Sequence, residues 1–498
     1  MRIRTILIAS LLAAVLACLF VGRAGAHSIL VSSNPPSGAK LPVAPTSVQM
    51  TFSEGVEPAF SSFIVIDRTR KHFEAGAPTI DRVSGLATVP LQPNLAPGDY
   101  VVQWKVVSVV DGHLTRGSFA FNVQAAPGAP TSLPATPIAG TTGTPPAPEP
   151  TVDSGSFLTP SDQRPGGESA APGVLDVAVR WLGTLLAAFL AGGAFFRLLI
   201  MPGALALLPA GPADRAATRN RLDNRFLYAG VIAAVLLLLA LGGELVLQAV
   251  RATETDLFAV VGQQGVLSAV LASSFGVSLE MRALAVSLAL LLLVAAVLTR
   301  TFGRRLWPLL VLVGAAYFWA QIGSAHATAL SEEPTAGVLQ ALAPASNLLH
   351  LLATATWIGG ILYFVVILLP VLRGLVDNSR GALLRETITR FSQLALVTVP
   401  LVALSGTIIY LAEQPSVEST LNTGYGREVL IKVGLLFVLM IPASYNLRKV
   451  GPGLAKLRDK AGPPMQALAG GFRRSIRWEA LLVSVVLVFS ALLTLSAP

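Results

Sequence analysis

The sequence predicts a two-part fold: an N-terminal all-β domain, a small sandwich or Greek-key barrel, followed by an all-α membrane domain of eight helices. Three observations predict it. The 498 residues are 53% hydrophobic and only 13% charged, with a mean hydropathy of +0.66, too apolar for a soluble chain. From about residue 174 the apolar residues fall into runs of about 20, the length that crosses a bilayer as a helix. Before residue 124 they fall instead into short alternating runs separated by turn signals.

In chain order, residues 1–26 read as a secretory signal. Arg2 and Arg4 precede an apolar run from Ile6 to Val21, and Ala24-Gly25-Ala26 is a signal-peptidase site. Cleavage after Ala26 would make His27 the first residue. Val15-Leu16-Ala17-Cys18 loosely resembles a lipoprotein box, and lipidation at Cys18 would keep His27 inside the chain. The apolar run continues past Cys18, which favours cleavage after Ala26.

Residues 27–123 read as the β-domain. Strands are expected at Val48 to Phe52, Phe63 to Asp67, Ala87 to Leu91, Tyr100 to Ser108 and Gly117 to Val123. Asn34-Pro35-Pro36-Ser37-Gly38 and Pro97-Gly98-Asp99 mark turns. Residues 124–172, rich in Pro, Ala, Thr and Gly and without apolar periodicity, read as a linker.

Residues 173–498 read as the membrane domain, with spans near 176–199, 226–248, 278–299, 306–326, 345–371, 391–412, 428–446 and 476–496. The stretch from Asp256 to Ser274 is expected to be an interfacial helix. A cleaved signal puts the β-domain outside. Alternate loops then carry the arginines inward: Arg215 to Arg225, Arg300 to Arg305, Arg373 to Arg390, and Arg448 to Arg477. The other loops hold Glu254 and Asp256, Glu332 and Glu333, and Glu413 and Glu418, so the pattern obeys the positive-inside rule. This implies a bacterial-type cytoplasmic membrane, with the β-domain and the C-terminus on its extracytoplasmic side.

Composition also excludes classes of function. The net charge of +9 is accounted for by inner loops and does not point to nucleic-acid binding. Cys18 is the only cysteine, so the processed chain has no disulfide, thiolate metal site or cysteine nucleophile. Six methionines, without a cluster, argue against a thioether-lined Cu(I) path. No Walker-type motif is present, so direct ATP-driven transport is not expected.

Five histidines remain to be weighed. An N-terminal His27 offers its amine and imidazole to one metal. Asp111-Gly112-His113 adds a carboxylate and a second imidazole, two residues apart on an extended segment. An amine, two imidazoles and a carboxylate suit square-planar Cu(II). His72, between strands, reads as a solvated loop residue. His326 ends the fourth span and His350 lies about one turn inside the fifth, both towards the outer face, and ionisable groups there default to function. Thr354 and Trp357 share the helix face of His350, and Gly359-Gly360 would admit a neighbouring helix. Interfacial anchoring is the competing reading for the histidines. Glu244, Glu280 and Lys432 are expected towards the outer side, where they could pair or line a cavity, with Glu280 and Arg282 alternatively at the interface. Glu479 is a further ionisable residue within a span.

The segments His27 to Ala39, Val48 to Val56, Ser108 to His113 and Gly117 to Phe121 resemble the CopC copper-binding proteins. That resemblance implies an immunoglobulin-like β-barrel and a Cu(II) site at His27, Asp111 and His113. Glu54, in the Phe-Ser-Glu segment, is a candidate neighbour of that site. Met50 is the domain's one methionine, so a second, Met-rich Cu(I) site is not expected. The stretches Ser324 to His326, His350 to Gly360, Phe391 to Val397, Gly424 to Lys432 and Arg474 to Glu479 are similar to the CopD copper-resistance membrane proteins. Together the halves resemble a CopC–CopD fusion, which implies copper capture outside and passage inward, with copper and the lipid membrane as partners. Two alternatives stay open: a tethered copper sensor or buffer, and a haem-binding electron-transfer protein using the two intramembrane histidines. An enzyme is not expected. The N-terminal His also resembles the copper site of oxidative polysaccharide monooxygenases, but Asp111 would fill the position that such chemistry keeps open for oxygen.

Overall fold

The computed structural model describes residues 30–109, 114–125, 173–253, 255–262, 264–299, 303–322, 338–413, 424–456 and 463–494. They fall into two compact units, one of strands and one of helices.

The strand unit contains β1 (Leu30–Asn34), β2 (Lys40–Leu41), β3 (Ser47–Phe52), β4 (Ser62–Asp67), β5 (Thr79–Ile80), β6 (Leu86–Pro90), β7 (Gly98–Val107) and β8 (Leu114–Val123). They form two four-stranded sheets, ordered β1-β3-β6-β5 and β2-β8-β7-β4. Among the described strands only the β2–β8 pairing is parallel. Period-two patterning places the core: Val48, Met50 and Phe52 of β3 are buried while Gln49 between them is exposed. They share one core with Phe63 and Val65 of β4, Val102 and Trp104 of β7, and Phe119 and Phe121 of β8. Phe52 meets Trp104 edge-on, with centroids 5.1 Å apart. Gly117 sits opposite Trp104 in the register, where a Cβ would come within 2.4 Å of the indole. The position therefore admits only hydrogen.

The helical unit contains α1 (Val174–Leu199), α2 (Met201–Ala206), α3 (Pro212–Thr253), α4 (Leu257–Val261), α5 (Gln264–Leu271), α6 (Ser274–Thr299), α7 (Leu306–Ile322), α8 (Val338–Tyr363), α9 (Asp377–Glu413), α10 (Gly424–Tyr445) and α11 (Pro463–Leu493). α8 runs on through a π-helical turn, Phe364–Leu368, to Leu372, and α10 through another, Asn446–Val450, to Lys456.

Seven helical stretches among the described residues are long and apolar enough to cross a membrane: those of α1, α3, α6, α8, α9, α10 and α11. α7, in the place of the expected fourth span, is an apolar helix of 17 residues and falls short of that length. The stretch expected as one interfacial helix is two, α4 and α5. Asp256 caps the first by accepting from the Phe258 and Ala259 amides at 3.0 Å. Helices α3, α9 and α11 begin well before the apolar runs that announced them. Charged, arginine-rich turns continue the helix outside the apolar window.

Arginines gather at one end of this unit and satisfy carbonyls left over at helix ends and at the π turn. Arg225 donates to Val366 O at 2.7 Å and Arg380 to Leu372 O at 3.0 Å. Arg197, buried, pairs with Asp223 at 2.9 Å and lies 5.0 Å from the Trp307 ring centre. α1 and α8 cross backbone to backbone. A Cβ on Gly192 would stand 1.9 Å from Ala355 O, and one on Gly359 would stand 2.2 Å from Ala188 O.

Candidate functional site

His27, Asp111, His113 and His326 lie outside the described residues; the segments that lead to three of them do not. Leu30, three positions after His27, pairs with Phe52 at the end of β3. Two residues on, Glu54 accepts a hydrogen bond from Ser108 Oγ at 2.7 Å. Ser108 follows β7, and Leu114, which opens β8, pairs with Val107. Backbone bonds lace the same place: Val109 N donates to Gly55 O at 3.0 Å, and Glu57 N to Val107 O at 2.7 Å. Gly55 must be glycine there, since a Cβ would meet Arg82 O at 2.2 Å. Glu57 is in turn paired with Arg82 at 2.9 Å. The fold thus brings the flanks of His27, of Glu54 and of Asp111–His113 to one end of the β-sandwich. His72 is exposed, with Nδ1 3.3 Å from Glu74 Oε2, away from that network.

In the helical unit His350 of α8 is fixed by α9. Its Nδ1 lies 3.0 Å from Val402 O and 3.2 Å from Ser405 Oγ. A carbonyl can only accept, so Nδ1 is assigned the ring proton and Nε2 the lone pair. The Ser405 hydroxyl donates to Leu401 O at 2.5 Å, which leaves its oxygen free to face the Nδ1–H. Gly406 completes the seat: a Cβ there would come within 3.1 Å of His350 Cε1. A ring nitrogen held by a backbone carbonyl leaves the other nitrogen with its lone pair, the tautomer that metal-ligating histidines also use. Thr354, one turn further along α8, has a buried Oγ1 without a hydrogen-bond partner among the described residues. Trp357 is buried on the same helix.

Glu244 does not line a cavity on its own. It pairs with Arg282 of α6 at 3.0 Å, and both are buried. Tyr317 of α7 shares the guanidinium. This corrects the placement of Arg282 at the interface: inside an apolar bundle a charge has to be paired. Glu280, two residues earlier, is exposed. No group of three or more His, Cys, Asp or Glu side chains stands ready for a metal among the described residues.

Ser108, Val402, Ser405 and Gly406 were not singled out from the sequence. The first three act through hydroxyl or carbonyl groups that no motif marks. Gly406 was in principle legible as a small residue in an apolar span.

A β-sandwich on the same chain as a bundle of apolar helices defines a multi-pass membrane protein with an appended β-domain. Comparison with known families matches the CopC domain over residues 30–124. It matches the N-terminal domain of copper resistance protein D-like proteins over 171–337, and copper resistance protein D over 385–493. The chain belongs to the copper-resistance family that joins a CopC domain to a CopD membrane region. Copper transport protein CutJ of Bacillus subtilis (strain 168) is 28% identical over 432 residues, covering 85% of this chain and 68% of that protein. Protein YobA of Escherichia coli (strain K12) is 36% identical over 100 residues, 20% of this chain and 80% of YobA. The crystal structure of CopC from Methylosinus trichosporium OB3b aligns with 34% identity over 20% of this chain and 94% of its own, with a TM-score of 0.18.

Proposed function

We propose that the β-domain captures Cu(II) outside the membrane and that the helical domain passes copper inward. The observation that carries this reading is the meeting of Leu30, Glu54, Ser108 and Leu114 at one end of the sandwich. Chain length alone keeps His27 within about 10 Å of Leu30, at 3.3–3.6 Å per residue. Asp111 and His113 are bracketed by Ser108 and Leu114. The amine and imidazole of His27 then share one Cu(II) with His113 and Asp111, and Glu54 closes the far side of the site. The similarity to CutJ, a copper transport protein, over most of the chain supports transport rather than catalysis, storage or sensing.

The linker, residues 124–172, keeps the loaded domain at high effective concentration over the membrane entrance. His326 and His350 receive the ion there. The Nε2 lone pair of His350, with Nδ1 held by Val402, is the donor on α8. Two imidazoles make a weak site, and a conducting site must also release.

Full-length protein in proteoliposomes should accumulate copper from the β-domain side. One residue added before His27 should weaken Cu(II) binding at least tenfold, because it displaces the amine. Unchanged binding in that variant would remove the amine from the site, and proteoliposomes that take up no copper would reduce the protein to a tethered buffer.

A further inference from the structure

Glu479 on α11 stands apart from the groups used so far. It is 3% exposed, and the residue facing it, Asn446, is 6% exposed. Asn446 Nδ2 donates to Glu479 Oε1 at 2.6 Å. The other amide atom, Asn446 Oδ1, is buried with no partner among the described residues. α11 packs against α1, α8, α9 and α10. Among their described residues no charged side chain acts on the carboxyl, and Asn446 is its one polar contact. The neighbouring bond, Ser475 Oγ to Pro442 O at 3.2 Å, ties α11 to α10 but is spent on a carbonyl. Asn446 also opens the π-helical turn Asn446–Val450. Such widened turns recur at functional sites.

A carboxylate buried without a counter-charge is not tolerated in an apolar interior; it is neutralised instead. Arg282 neutralises Glu244, but Glu479 has no such neighbour. Among the described residues the one polar contact of its carboxyl is the Asn446 amide; carboxyl and amide oxygens are hard donors. They do not suit soft Cu(I), and they do suit a proton.

We propose that Glu479, held by Asn446, is a proton-exchanging site at the arginine-rich end of the helical domain. The carboxyl is protonated at rest. On release the O–H bond breaks, its electron pair stays on the carboxylate, and the proton passes to water at that end of the bundle. Asn446 serves both states. Its Nδ2–H donates to Oε1, whether that oxygen is the carbonyl of the neutral acid or part of the carboxylate, and after rotation of the amide its unpartnered Oδ1 can accept the carboxyl O–H. Proton binding here stands without the copper-import reading; only its coupling to copper movement rests on that reading.

Infrared difference spectroscopy of the full chain in lipid nanodiscs tests it. At neutral pH the protein should show the C=O stretch of a protonated carboxyl that shifts on transfer to D2O, and Glu479→Gln should lose it. Asn446→Leu should keep the band but move its frequency, since the hydrogen bond to Oε1 is gone; this variant carries the test if Glu479→Gln does not fold. No Glu479-dependent band, or a band that does not exchange in D2O, would overturn the proposal. In proteoliposomes, copper uptake by the parent should rise or fall with an imposed pH gradient, and uptake by Glu479→Gln should lose that response. A variant that keeps the response would overturn the coupling of Glu479 to copper movement. A parent that takes up no copper overturns the import reading and leaves the infrared result to decide the proton site.

Discussion

Removing either partner of the Glu244–Arg282 pair should cost the helical domain far more than removing both. The pair is direct, at 3.0 Å, and its side chains are 8% and 5% exposed. Charge centres about 4 Å apart attract by about 4 kcal/mol at an effective dielectric of about 20. Breaking a buried pair by deleting one member costs about 3–5 kcal/mol, because the other charge is stranded. Arg282→Leu and Glu244→Leu should each lose that amount. Tyr317 does not rescue either, since a neutral hydroxyl cannot balance a charge. The double variant strands nothing and should return to within about 1 kcal/mol of the parent, as buried pairs replaced by apolar residues commonly do. Equilibrium unfolding of the four proteins in detergent micelles, followed by tryptophan fluorescence, measures the cycle. Singles within about 1 kcal/mol of the parent, or a double as unstable as its singles, would refute the argument that the interior enforces the pairing.

The seat of His350 makes Gly406→Ala informative: the new Cβ would stand 3.1 Å from the ring, and copper accumulation should fall towards that of His350→Ala while Cu(II) binding by the β-domain stays unchanged. Full accumulation by His350→Ala and by His326→Ala would make both residues anchors and not relays. Asp99 in β7 is partly buried, which opposes ionisation, but bonds from Asn122 at 2.8 Å and Arg68 at 2.9 Å outweigh this and hold its carboxyl below the usual range. A lowered folded-state value gives stability that is present above the unfolded carboxylate range and lost as pH falls through the folded one. Asp99→Asn should therefore be less stable than the parent at neutral pH and flatten the acid limb, and parallel pH–Tm curves for the two proteins would contradict this. A reporter fused after Pro498 should be active only outside the cytoplasm; activity inside would mean that α7 does not cross.

What the sequence made legible was patterning. The strands Ser47–Phe52, Ser62–Asp67, Leu86–Pro90, Gly98–Val107 and Leu114–Val123 lie where alternation indicated, because one face of each is buried. β1 was missed: Leu30–Asn34 is mostly polar and exposed, and is a strand only because β3 supplies its hydrogen bonds. Apolar runs located seven of the eight expected spans at crossing length among the described residues, but not their rotation. Hence Glu244 was recognised as costly while its partner, 38 positions away on another helix, was not. The same limit hid Asn446 from Glu479, which is 33 positions away. The end of the sandwich that gathers the flanks of His27 and Asp111 was foreshadowed by motifs alone, since Ser108 and Gly55 carry no chemical signature of their own.

The glycine crossing of α1 and α8 bears on how such a bundle can move. Helices separated by side chains slide by repacking them; helices whose backbones touch have nothing to repack. With Gly192 against Ala355 O and Gly359 against Ala188 O, α1 and α8 have no slack at that level. In the proposed import path they would be the fixed pair. His350 sits on α8 and so on the stationary part, while its Nδ1 is gripped by α9. On the proposed reading, a displacement of α9 relative to α8 would strain first the bond that aims the imidazole. If His350 carries copper on Nε2 as proposed, the same small tilt would release the ion.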